Sequence, residues 1–134
     1  MHHIQKYLDT QYRKSGHTRG IPPYVIAVDL DGTLTMDECW TVEACLNAEP
    51  NIEFIQLLRE KFDNCLIIVW TARKDELIPA SLKWLRKHGV PFRAISNLKM
   101  GCDLAIDDKT IRPDEISQWE PGWTSDSQPR LIDD

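Results

Sequence analysis

The chain has 134 residues, of which 42% are apolar and 28% charged, with 8 Pro and 6 Gly. That is the composition of one soluble globular domain, and it excludes a multidomain, disordered or collagen-like chain. The net charge of −5 argues against broad, sequence-independent nucleic-acid binding, which needs a cationic surface, yet leaves room for a small anion in a local pocket.

No run approaches the roughly 18 apolar residues of a membrane span. The opening MHHIQKYLDTQYRKSG lacks the apolar stretch of a signal peptide, so a cytoplasmic protein with no membrane partner is expected. Residues 1–20 form a basic arm, with Lys6, Arg13, Lys14 and Arg19 against Asp9, about +3 in all. Residues 113–134 form an acidic tail of about −5. Both ends are read as solvated, with Ile4, Tyr7, Leu8 and Trp119 docking in part, and residues 21–112 as the core between them. Cys39, Cys45, Cys65 and Cys102 have no CxxC spacing and are read as reduced and mostly structural.

Within the core, Tyr24–Leu30 is an apolar, β-branched run after Pro22-Pro23, as expected for a strand covered on both faces, and Asp31-Gly32 ends it with a turn signal. From the capping residue Asn51, the positions Ile52, Phe54, Ile55, Leu57, Leu58 and Phe62 form a broad helical face. Cys65–Trp70 reads as a second buried strand. Pro79 suits the start of the next helix, in which Leu82 and Leu85 face the core, and Lys87-His88-Gly89 suits its end. Phe92–Ile95 and Asp103–Asp107 complete a set of four strands. This alternation predicts an α/β, Rossmann-like three-layer sandwich with a mostly parallel central sheet. Ligands of such sheets bind beyond the carboxyl ends of the strands.

Polar residues gather at those ends. Asp29 and Asp31 bracket Leu30, and period-two geometry sends both carboxylates to one side. Two close carboxylates suit a hard cation such as Mg²⁺, although an isolated DxD also occurs by chance and in metal-dependent glycosyltransferases. Thr71 follows the second strand, Lys99 precedes the fourth, and Asp107-Asp108 end it. Each also has a plainer reading: Thr71 as a helix cap, Lys99 as a surface lysine, Asp107-Asp108 as a turn.

Taken together, these residues resemble the haloacid dehalogenase (HAD) superfamily of phosphohydrolases. Asp29-Leu-Asp31-Gly-Thr-Leu-Thr35 matches its first motif, DxDGTxT; Thr71 in Trp70-Thr-Ala-Arg73 looks like the second, Lys99 like the third and Asp107-Asp108 like the fourth. The resemblance covers about residues 24–112. It implies a nucleophilic Asp29 that forms an aspartyl-phosphate and an Asp31 that protonates the leaving oxygen and then deprotonates water. Gly32 would let backbone N–H groups approach the phosphoryl group, and Thr71 and Lys99 would stabilise its charge. Mg²⁺ would be held by Asp29, the Asp31 carbonyl and Asp107, with Asp108 in support. Arg73 points by position toward the same face, to hold a second anionic group or to form a surface ion pair.

The gaps between motifs leave no room for a cap domain, so a capless, open site is expected, one that accepts a large substrate or is closed by a short hairpin-like flap around Met36–Leu46, the N-terminal arm or a second subunit in a homo-oligomer. Trp40 in that flap either stacks on a substrate ring or, the favoured reading, packs beneath the flap. The expected activity is hydrolysis of a small phosphorylated metabolite such as a nucleotide or sugar phosphate. A polynucleotide end phosphatase and a catalytically silent phosphate- or partner-binding module are the alternatives.

Overall fold

The computed structural model describes residues 4–6, 8, 23–98, 102–107 and 111–121. Most of the basic arm, Tyr7, Lys99, Asp108 and the end of the acidic tail therefore lie outside the described residues. The elements run β1 (Val25–Asp29), α1 (Val42–Asn47), α2 (Ile52–Lys61), β2 (Leu66–Trp70), α3 (Ile78–Lys87), β3 (Ala94–Ser96), β4 (Leu104–Ile106) and α4 (Pro113–Ser117). The four strands form one all-parallel sheet in the order β3-β2-β1-β4, so this is an α/β fold. No helix among the described residues is long and apolar enough to cross a membrane.

Register divides the sheet into two unequal faces, because paired residues of parallel strands point the same way. Ile26 and Val28 pair with Ile67 and Val69 on one side and with Leu104 and Ile106 on the other. All six are buried and share one core with Phe54, Ile55 and Leu58 of α2, Trp84 and Leu85 of α3 and Ile116 of α4. On the opposite row Val25 and Ala27 are half-buried, Ala105 is exposed and Ile68, the partner of Ala27, is buried. Coverage on both faces, as expected for a three-layer sandwich, is thus complete on one face and partial on the other among the described residues. Small side chains at 27 and 105 make that possible, and the described residues between β3 and β4 contain no helix.

The helices form where caps and periodicity place them. Asn51 accepts the Phe54 N–H at 3.2 Å to start α2. In α3, with Pro79 in its first turn, the core side is Ala80, Ser81, Trp84 and Leu85. Leu82, expected in the core, is only half-buried. Trp84 takes the central place instead, and its indole N–H donates to the Ala48 carbonyl at 2.8 Å. Gly89 ends this helix with φ 65°, and Arg59 of α2 donates to the carbonyls of His88 and Gly89 at 3.0 and 2.9 Å.

Three segments differ from expectation. The stretch read as a hairpin-like flap is hairpin-like only at its base, where Thr35 and Pro50 form an antiparallel bridge. Its middle is α1, capped by the Thr41 hydroxyl, which accepts the Ala44 N–H at 3.1 Å. The start of the acidic tail is folded: Ile116 and Trp119 are fully buried, and the Trp119 ring lies 5.3 Å from that of Phe62. Ile4 and Leu8 are likewise fully inside the core, beyond partial docking. No disulfide joins the four cysteines.

Candidate active site

At the carboxyl end of β1 the chain makes a five-residue turn, Leu30–Leu34, closed by the Thr35 N–H donating to the Leu30 carbonyl at 3.0 Å. Gly32 has φ 78° within it, a left-handed conformation that costs a β-carbon-bearing residue. Thr35, the last residue of the DxDGTxT stretch, clamps the turn: its hydroxyl accepts the Gly32 N–H at 3.3 Å and donates to the Asp37 carbonyl at 2.5 Å. Asn51 secures the far side, donating from its amide to the Thr33 carbonyl at 3.2 Å. Thr33 is fully buried, and its hydroxyl has no hydrogen-bond partner among the described residues.

Asp29 and Asp107 follow directly on the paired residues Val28 and Ile106. They therefore stand on adjacent strands, which in a sheet run about 4.8 Å apart. Both line one pocket of about 290 Å³ whose walls include Trp70, Ala27, Ala105 and Cys102. The Asp107 N–H donates to the Ile111 carbonyl at 3.0 Å, which fixes the main chain where β4 ends. On the other side of the turn, Gly32, Asn51 and Arg112 border a second pocket of about 420 Å³.

Asp31 faces elsewhere. Its Oδ1 accepts from Arg73 Nη2 at 2.7 Å and from the Cys39 main-chain N–H at 3.1 Å, and its Oδ2 accepts from Arg73 Nε at 3.0 Å. The Arg73 side chain is 1% exposed and that of Asp31 12%, so this is a buried, two-pronged ion pair. Burial opposes the guanidinium charge, but the hydrogen bond and charge of Asp31 outweigh it and hold Arg73 above its ordinary value. The surface ion pair or anion contact expected of Arg73 is thus replaced by a buried contact within the site. Burial also pushes the Cys39 and Cys45 thiols up, against the pull of Arg73, which keeps both neutral.

Thr71 is fully buried just beyond β2, and its hydroxyl oxygen accepts the Arg73 N–H at 3.0 Å. It shapes the loop that delivers Arg73. Trp40, favoured as a residue beneath the flap, is 60% exposed, and its neighbour Cys39 fills the buried place. Lys99 and Asp108 lie outside the described residues.

The described residues therefore bring Asp29, Asp31, Gly32 and Asp107 to one end of the sheet, with Arg73 and Thr71 behind Asp31. Among them no cluster of three or more His, Cys, Asp or Glu is gathered around a point that could hold a metal. The donor chemistry at the first pocket nonetheless suits a hard cation: two carboxylate residues on neighbouring strand ends supply oxygen ligands. The Asp31 side chain is turned to Arg73 and does not line this pocket. Sequence reading missed Cys39, Ser81 and Thr35 as parts of this site. Only Thr35 carried a signal, its place in the motif. Comparison with protein-family models gave no match, and comparison with curated protein sequences gave none either.

Proposed function

We propose that the chain is a Mg²⁺-dependent phosphomonoesterase of the HAD type, a capless Rossmann-like hydrolase acting on a small phosphorylated metabolite such as a nucleotide or sugar phosphate. The observation that carries this reading is the placement of Asp29 beside Asp107, on neighbouring strand ends and lining one pocket, with the Asp31-Gly32 turn directly above β1. Carboxylates crowded at one strand edge are costly in isolation and useful around a cation and a phosphoryl group.

In this reading Asp29 attacks phosphorus: a bond forms from its carboxylate oxygen, the bond to the leaving oxygen breaks, and Asp31 gives that oxygen a proton. Asp31 then takes a proton from water as the aspartyl-phosphate is hydrolysed. The turn at Gly32 brings main-chain N–H groups toward the phosphoryl oxygens, with Lys99 adding positive charge. Asp29, the Asp31 carbonyl and Asp107, with Asp108 in support, would hold Mg²⁺, which would supply charge neutralisation at the phosphoryl oxygens. The parts assigned to Lys99 and Asp108 rest on the motif resemblance alone.

The test is hydrolysis of 4-nitrophenyl phosphate with Mg²⁺, followed by a panel of nucleotides, sugar phosphates and phosphorylated oligonucleotides. Activity is expected to vanish with chelator and to fall at least about 1,000-fold in Asp29→Asn. Undiminished turnover in that variant removes Asp29 as the nucleophile.

A further inference from the structure

We propose that Arg73 is a positioning residue for Asp31, one that selects which carboxylate oxygen exchanges the proton; this role rests on reading Asp31 as the acid–base group. The argument is a count of donors and acceptors. Each oxygen of an ionised carboxylate offers about two lone pairs. Among the described residues, Oδ1 receives two donors, Arg73 Nη2 at 2.7 Å and the Cys39 N–H at 3.1 Å, and so has none to spare. Oδ2 receives one, Arg73 Nε at 3.0 Å, and keeps a lone pair for the proton.

The guanidinium is itself held from behind. Its Nη1 donates to Ser81 Oγ at 2.7 Å, and the Ser81 hydroxyl donates to the Leu77 carbonyl at 2.7 Å. That commits the single hydroxyl hydrogen and leaves the oxygen as an acceptor for Arg73. Both Arg73 and Ser81 are buried, at 1% and 0% exposure, so the chain from α3 through Arg73 to Asp31 is a fixed support. Three of the five N–H donors of Arg73 are spent on protein acceptors, and at 1% exposure the side chain offers a phosphate no open approach. Planar, two-pronged contact fixes both the position and the plane of the carboxylate, which an ammonium at the same place cannot do. Cys39 joins the flap to the same carboxylate through its main chain.

A group that positions a general acid matters most when the leaving oxygen needs the proton. The experiment compares phenyl phosphate, a poor leaving group, with 4-nitrophenyl phosphate, a good one of similar shape, in the full-length wild type, Arg73→Met, Arg73→Lys and Ser81→Ala. Expected for Arg73→Met is a loss of about 100-fold or more in kcat on phenyl phosphate and about 10-fold or less on 4-nitrophenyl phosphate, with KM little changed. Arg73→Lys falls between, and Ser81→Ala shifts the same ratio by a smaller factor. In an Asp31→Asn background, Arg73→Met adds nothing further to the ratio. Equal losses on both esters in every variant mean a merely structural residue and overturn the proposal, as does a raised KM at constant kcat, the signature of an anion contact. If Arg73→Met does not fold, the ratio in Arg73→Lys and Ser81→Ala decides. A wild type inactive on both esters, or an active Asp29→Asn, overturns the hydrolase reading and this role with it; a hydrolase silenced by Asp29→Asn but with equal losses overturns only the role of Arg73.

Discussion

Gly32 sits where the backbone must turn back over β1, and at φ 78° its lack of a β-carbon is a requirement of the turn. Gly32→Ala is expected to lower stability by about 1–2 kcal/mol, measured by urea unfolding, with Asn at the same place milder because it tolerates the left-handed region. The same turn shows what the sequence can and cannot say about single residues. Asp29, Asp31 and Gly32 stand in one short stretch, and their gathering at the end of β1 was legible from it. The partner of Asp31 was not. Arg73 is 42 positions away, and nothing local distinguishes an arginine that turns inward from one that reaches for solvent. Only packing, with Ser81 and Cys39 supplied by two other segments, decides between them.

Among the elements, the long apolar runs were the easiest to read. β1 and β2 fall within a residue of their expected ends because a β-branched run bounded by Pro or turn residues has few alternatives. α1 was missed, since six residues give periodicity little to work on and its helix is fixed by the Thr41 cap and by packing on α3. The Leu82 misreading has a geometric cause: Leu77, Ala80, Ser81, Trp84 and Leu85 make up the buried helical stripe, and position 82 falls at its margin. At the end of α3 the His88 ring packs 4.7 Å from that of Trp84. Burial, with the charge of Lys87, moves His88 below its ordinary value of 6.5. The folded chain then binds fewer protons than the unfolded chain near and below that value, so stability from this group is present above pH 6.5 and is lost as the pH falls. Urea unfolding at pH 7.5 and 5 is expected to show a smaller loss in His88→Gln than in the wild type.

For the molecule as a whole, charge misled where hydrophobic anchoring prevails. The acidic composition after residue 112 suggested a solvated tail, yet the segment from Pro113 to Trp119 docks by Ile116 and Trp119 against the core. Two buried apolar side chains outweigh several exposed carboxylates, which stay in water whether or not the segment is docked. Trp119→Ala is expected to cost about 3–5 kcal/mol in thermal or urea unfolding. Trp40→Ala, at a side chain 60% exposed, should change stability by less than about 0.5 kcal/mol.

The strand order β3-β2-β1-β4 also sets a timetable for synthesis. As the chain leaves the ribosome, β1 finds β2 and then β3 on one flank, but its other flank waits for β4, whose entry is tied to β1 across 78 positions by the Asp103–Val25 contact. Until then a central strand is an edge, with unpaired backbone groups ready to template another chain. Asp29 meets Asp107 only once β4 has emerged. Completion of the sheet and assembly of the carboxylate pair are thus one late event, and a nascent chain stalled before β4 has neither.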